Sequence, residues 1–214
     1  MRTPRRYPDR EAAGRDLARL VGRLRLHDPV VLALPRGGVP VARPVADRLA
    51  APLDVLVVRK VGAPGREELG LGAVGEDGVT VLDPELIRYL GLDDAQVHRA
   101  VAKAHDELER RLRSLPPDRV AVDVTGRDAV IVDDGIATGG TALAAVDVLR
   151  HRGAARVVVA VPVAAAEGVR RLQAAADEVV CPHAVSGGFA VGAYYDDFHQ
   201  LGDDEVAELL TEDG

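Results

Sequence analysis

With 214 residues, 47 % of them apolar, a mean hydropathy of +0.01 and a formal charge of −7, the chain fits a soluble globular unit able to bury a full core. The acidic balance argues against charge-driven nucleic-acid binding, and no apolar run approaches the roughly eighteen residues that a membrane span needs. The basic start, Met1-Arg2-Thr3-Pro4-Arg5-Arg6, leads into no apolar signal segment, and a lone Cys181 admits no internal disulfide, so a cytoplasmic setting is expected.

Apolar runs alternate with helical patterns along the chain, the signature of an α/β fold. Asp9 and Glu11 stand where a helix should start, and Leu17, Leu20, Val21 and Leu24 recur at helical spacing. Residues 30–34 predict a first strand, followed at once by Arg36-Gly37-Gly38. Two glycines and an arginine at a strand end can present N–H groups and a guanidinium to an anion, although Gly-Gly is equally common in plain turns. Residues 39–49 predict a helix whose early turns Pro44 distorts. A second strand over 53–58 ends in Arg59-Lys60.

The stretch 61–71 holds Gly62, Pro64, Gly65 and Gly70 and predicts a mobile connection. Glu67, Glu68 and, just beyond, Glu76 are carboxylates available near it. Segments 72–75 and 79–82 flank Glu76-Asp77-Gly78, a hairpin signal. Asp83-Pro84-Glu85 opens a short helix that Gly91 closes. A long charged helix follows over 93–115, stopped by Pro116-Pro117. Its polar residues (Gln96, His98, Arg99, Lys103, Asp106, Glu109, Arg110) predict a solvated face more than a site, which makes Lys103 a control for Lys60.

The most informative stretch is Val130 to Thr141. A buried strand ends in two adjacent carboxylates, Asp133 and Asp134. The loop Ala137-Thr138-Gly139-Gly140-Thr141 then leads into a helix marked by Leu143, Val146 and Leu149. Free N–H groups and partial positive charge at a helix start suit a phosphate, and glycines allow close approach. The acids suit hydroxyl groups or a hydrated metal ion. Neutralising Asp134 should weaken binding without unfolding the chain, since it lies at a strand end. A strand over 157–161, a helix over 166–175, a strand over 178–181 and a last helix over 204–210, capped by Asp203, complete the pattern.

The order of strand, acid pair, small-residue loop and helix resembles the binding motif of type I phosphoribosyltransferases, which use 5-phosphoribosyl 1-pyrophosphate (PRPP). The resemblance implies a three-layer α/β/α fold with a mostly parallel sheet in the order 3-2-1-4-5-6, strand 3 antiparallel. Residues 1–183 would form the core, with a hairpin and helical insertion over 79–120. Residues 184–214 would form a C-terminal hood and last helix within the same domain. In that order the first and fourth strands are neighbours at a switch point of the winding, where ligands bind. Ala137 to Thr141 would then hold the 5′-phosphate, and Arg36, Gly37, Gly38, Arg59 and Lys60 the pyrophosphate. Asp133 and Asp134 would serve catalysis and reach Mg²⁺ through water. Pyrophosphate displacement passes through an oxocarbenium-like state, and a closing loop over 61–71 would shield it from water.

Phe189, Tyr194, Tyr195 and Phe198 fall close together in a chain with only four tyrosines and two phenylalanines. Such rings either stack on a flat acceptor or close a small core. Tyr195, Tyr194 and Phe189 are the acceptor candidates, Tyr195 first, for a nitrogen heterocycle. Ala137 stands where many 6-oxopurine relatives carry an acid, so the loop is closer to the adenine-using form and the acceptor stays open. No lysine fits a Walker loop, and no dinucleotide fingerprint follows the first strand. The other reading is a non-catalytic module of the same fold that binds PRPP or a nucleotide. PRPP and an acceptor are the expected partners, without nucleic acid or membrane; homo-oligomerisation is left open.

Overall fold

The computed structural model describes residues 6–113, 115, 119–186 and 190–211. Helix α1 (Arg10–Val21), strand β1 (Val30–Ala33), helix α2 (Gly38–Leu49) and strand β2 (Leu53–Val55) come first. Strands β3 (Val58–Ala63), β4 (Arg66–Gly75) and β5 (Thr80–Leu82) lead to helices α3 (Pro84–Tyr89) and α4 (Asp94–Leu112). The second half runs β6 (Asp128–Val132), α5 (Gly140–His151), β7 (Arg156–Ala160), β8 (Val163–Ala165), α6 (Ala166–Gln173), β9 (Glu178–Val180) and β10 (His183–Val185). Helix α7 (Asp203–Thr211) closes the described chain.

β1, β6 and β7 are rich in valine and buried on both faces, as parallel strands covered by helices must be. They occupy the middle of a five-stranded parallel sheet, ordered β2-β1-β6-β7-β9. Successive side chains point to opposite faces of a strand, so each one feeds two cores. Leu32, Ile131 and Val159 pack with Val146 and Leu149 of α5. Val31, Val130 and Val158 pack with Leu17 of α1, Val41 of α2 and Val206 of α7. The result is the expected three-layer α/β/α architecture.

The second strand departs from expectation. The chain breaks at Leu56-Val57: β2 stays in the parallel sheet, while β3 starts a separate antiparallel sheet ordered β3-β4-β5. The antiparallel third strand therefore pairs with the continuation of the second, outside the central sheet. A buried ion cluster holds the break open. Arg119 donates to Asp54 and to Glu76, 2.8 Å to Glu76 Oε2, and Glu76 Oε1 accepts the Val57 N–H at 3.1 Å. Asp54 also accepts the Val122 N–H at 3.0 Å.

The stretch expected as a mobile connection is a β3–β4 hairpin, turning at Pro64-Gly65 with Gly65 at φ +74°. Its glycines sit within paired strands, where Gly62 faces Gly70 across an irregular register. Pro44 does not interrupt α2; its ring lies beside Gly14 of α1. The Asp93 carboxylate and Gln96 form a capping box at the start of α4, and Ala104 and Leu108 of that helix pack on Val61 and Leu71 of the hairpin. Pro116 and Pro117 lie outside the described residues. Residues 190–197 are fastened to the start of the chain, with Tyr7 N–H donating to Tyr194 O and Asp196 N–H to Tyr7 O, both at 2.8 Å.

Candidate functional site

β1 and β6 lie side by side, with Ala33 opposite Val132, so the loops leaving them meet. A Cβ built on Gly37 would fall 2.0 Å from Asp134 Oδ2, and one on Gly38 would fall 2.5 Å from Val132 O. Only glycine permits this approach, and it brings the loop after β1 onto the acid pair. The Pro35–Arg36 peptide in that loop is cis.

The two acids have different partners. Asp133 Oδ1 accepts the Asp134 N–H at 2.9 Å. Asp134 Oδ2 receives Arg10 Nε at 2.8 Å, with side-chain exposures of 13 % and 9 %. Burial, and then the charge of Asp134, push the Asp133 carboxyl well above its ordinary range. Asp134 is raised by burial too, but Arg10 opposes the shift. Asp134 is thus half of an almost buried ion pair. Its replacement by asparagine would strand the Arg10 guanidinium and destabilise the chain, contrary to the sequence expectation.

Asp133 is the cleaner probe. A carboxyl with a raised folded pKa keeps its proton in the native state above the pH at which the unfolded chain loses it. Stability then falls as pH rises from about 4 toward the raised value. Asp133→Asn should therefore melt higher than the parent at pH 7, by about 2–4 °C for each kcal/mol relieved, and close to it near pH 4. Thermal melts at the two pH values check this; a variant that melts lower at pH 7 would refute it.

The small-residue loop is positioned by β8. Ile136 N–H donates to Val163 O at 3.0 Å, and Ala165 N–H to Ile136 O at 2.8 Å. Arg171 of α6 supports it by donating to Thr138 O at 3.0 Å. Gly139 then caps α5 at φ +81°, a left-handed conformation that glycine adopts without strain, and no side chain caps the helix. Ala137, Thr138 and Thr141 are exposed around it. Unbonded first-turn N–H groups, two hydroxyls and the helix dipole make a seat for a small anion.

The three basic residues assigned to pyrophosphate do not stay together. Arg36 and Arg59 line one cavity of about 300 Å³. Lys60 follows Arg59 in β3, so its side chain takes the other face of the strand. Its Nζ comes within 3.9 Å of where a Cβ on Gly140 would lie, beside the phosphate seat. Lys60 also lines a cavity of about 430 Å³ with Glu67, Arg99 and Lys103. Lys103 Nζ pairs with Glu67 at 2.5 Å across this cavity, which holds the Glu67 carboxyl below its usual range. The polar face of α4 is solvated as expected, with His98, Arg99, Lys103, Asp106, Glu109 and Arg110 exposed, and three of its residues, Gln96, Arg99 and Lys103, also border this open cavity.

The aromatic assignment needs the largest correction. Tyr195 is 1 % exposed and Tyr194 is also buried. The Tyr195 hydroxyl donates to Asp134 O at 2.5 Å, and its ring stacks on Phe198 at 5.2 Å. Tyr195 supports the acid pair from behind, since a buried phenol needs an acceptor and finds one there, while Tyr194 packs in a small cluster with Tyr7, Ala13 and Val163. Phe189 lies outside the described residues. Phe198, 38 % exposed, is the ring that reaches a cavity, one of about 430 Å³ shared with Arg10, Arg36, Arg111, Asp134 and His199. Of the carboxylates considered near the lid, Glu76 is taken by the Arg119 cluster and the Glu68 side chain is not among those described.

Sequence reasoning missed Arg10, Arg111 and His199. Arg10 left one trace: it stands in the first turn of α1, where the helix dipole favours acids. Its guanidinium answers Asp134 and lies 3.8 Å from the centre of the Phe198 ring.

A family model described as the phosphoribosyl transferase domain matches residues 6–197. The chain belongs to the phosphoribosyl transferase family. A Mycobacterium tuberculosis protein classed as a phosphoribosyl transferase is 50 % identical over 204 residues, covering 95 % of this chain and 46 % of its own length. The uracil phosphoribosyltransferase of Geobacillus kaustophilus is 33 % identical over 150 residues, covering 68 % of this chain and 62 % of its own length. The chain thus spans about half to six tenths of the curated relatives it matches. The crystal structure of TT1426 from Thermus thermophilus superposes with a TM-score of 0.87 at 49 % identity, covering 96 % of this chain and 97 % of that one. Among the described residues no helix is long and apolar enough to cross a membrane.

Proposed function

We propose that the chain transfers the 5-phosphoribosyl group of PRPP to a nitrogen heterocycle and releases pyrophosphate. The observation that carries this reading is the contact of Gly37 with Asp134. It places a carboxylate pair between an arginine-bearing loop and the uncapped start of α5. One ligand with a ribose between two phosphate-bearing ends suits that order. The 5′-phosphate would occupy the seat from Ala137 to Thr141, the ribose hydroxyls would meet Asp133 and Asp134, and the pyrophosphate would lie toward Arg36 and Arg59.

Mg²⁺ fits the donor set. It takes one or two carboxylates and completes its shell with water and phosphate oxygens. Asp133 and Asp134 offer two adjacent carboxylates, and a nearby cation would relieve the repulsion that Asp134 exerts on Asp133. Among the described residues no cluster of three or more His, Cys, Asp or Glu is suited to a metal. When bound, Mg²⁺ would neutralise charge on the pyrophosphate. The residues around it would hold the ribose, and the hairpin is held to α4 by apolar packing of Val61 and Leu71 on Ala104 and Leu108.

Calorimetry with PRPP, with AMP and with each plus Mg²⁺ tests the binding part. Tight PRPP binding that depends on Mg²⁺ is expected, with weaker binding of AMP. No heat from either ligand would overturn the proposal. An acceptor panel should start with uracil and adenine. The Geobacillus relative is named for uracil, and Ala137 leaves the loop close to the adenine-using form.

A further inference from the structure

Three consecutive peptide groups of the small-residue loop turn their carbonyls toward β8 and α6. Ile136 O accepts the Ala165 N–H at 2.8 Å, and Thr138 O accepts Arg171 Nη1 at 3.0 Å. Between them Ala137 O faces Gly168 of α6, where a built Cβ would fall 3.0 Å from it. All three peptides are trans. In a planar trans peptide the N–H points opposite to the carbonyl it is joined to. The N–H groups of Ala137, Thr138 and Gly139 are therefore turned the other way. Among the described residues these three donate to no protein acceptor. Successive N–H groups turned to one side form an anion-binding hollow, and Gly139 at φ +81° carries it into the start of α5.

Sheet pairing with β8 fixes the first of the three carbonyls. The other two depend on α6. Gly168 lets that helix press on the loop, since a Cβ there would also fall 2.9 Å from Ile136 Cγ2. Arg170 and Arg171 both stand in the last turn of α6, where basic residues answer the helix dipole. Arg170 folds back on Glu167 within its own helix. Arg171 instead leaves the helix to reach Thr138 O, and the dipole does not account for that reach.

We propose that Gly168 and Arg171 are positioning residues of the phosphate seat. They hold the Ala137 and Thr138 carbonyls away from it and so aim the Thr138 and Gly139 N–H groups at a phosphate monoester. This role rests on the reading that residues 137–141 take a 5′-phosphate. Ribose 5-phosphate is the probe, and inorganic pyrophosphate, which has no 5′-phosphate, is the comparison.

The full chain is compared with Arg171→Leu, which removes the donor, and Arg171→Lys, which restores a donor and the charge. Gly168→Ala tests the close approach, and Arg170→Gln controls for loss of a nearby charge. Calorimetry measures both ligands, and amide NMR follows the Thr138 and Gly139 N–H signals. Arg171→Leu and Gly168→Ala should each lose about tenfold in affinity for ribose 5-phosphate, the scale of one hydrogen bond, and less than about twofold for pyrophosphate. Arg171→Lys should regain most of the loss, and Arg170→Gln should match the parent. The two N–H signals should move downfield when ribose 5-phosphate is added to the parent, and move less in Arg171→Leu. Parent-like affinity in Arg171→Leu would overturn the role, as would no recovery in Arg171→Lys. An equal loss for pyrophosphate, or in Arg170→Gln, would overturn it too; each of these results leaves the seat standing. A parent that does not bind ribose 5-phosphate, or binds it without moving those signals, would overturn the seat and the role together.

Discussion

Gly37→Ala should lower PRPP affinity and turnover by about a hundredfold while the far-ultraviolet circular dichroism stays native, because one methyl group displaces the acid pair. A Cβ at this position would fall 2.0 Å from Asp134 Oδ2 and 2.5 Å from its Cγ. Those distances lie well inside van der Waals contact, so either the loop or the carboxylate must move by about 1 Å, a misplacement that can cost about a hundredfold in rate. Movement of the carboxylate also disturbs its 2.8 Å pair with Arg10. Calorimetry with PRPP measures the effect before any acceptor is known. Parent-like affinity would show that Asp134 does not act from the position it holds against Gly37.

Arg119→Ala should cost about 3–5 kcal/mol of folding stability, the usual result of stranding a buried charge. The same substitution strands two carboxylates: Asp54 and Glu76 are each 6 % exposed and both pair with Arg119. Against a total of about 5–15 kcal/mol, a loss of that size brings the chain near unfolding. Urea unfolding at pH 7 measures the effect. A loss below about 1 kcal/mol at pH 7 would mean that the cluster adds nothing over water-solvated ions.

The site was most legible where its parts are local in the chain. The strand, the acid pair and the glycine-rich start of α5 span twelve consecutive residues from Val130 to Thr141, and their roles follow from strand and helix geometry alone. The pairing of Arg36-Gly37-Gly38 with that segment was legible only through the resemblance that implies strand order. Arg59 and Lys60 were both assigned to the pyrophosphate, although alternation sends adjacent residues of β3 to opposite faces, and the anion each would serve depends on the neighbours its face meets. Tyr195 was misread because its hydroxyl finds the Asp134 carbonyl, a partner that local sequence cannot reveal. Arg119 lies far along the chain from the break it holds open between β2 and β3, so composition around residues 53–63 gave no sign of it. Glycines over 61–71 suggested looseness, yet they serve a strand pair packed under α4.

The most direct measurement is the stoichiometry of turnover. PRPP, Mg²⁺ and a panel of nitrogen heterocycles led by uracil and adenine are incubated with the chain, and pyrophosphate and nucleotide are quantified together. Phosphoribosyl transfer predicts equal amounts of nucleoside monophosphate and pyrophosphate with at least one heterocycle, and neither product from Gly37→Ala in the same time. PRPP that binds tightly yet stays intact with every heterocycle would contradict transfer and identify a PRPP-binding regulatory module instead.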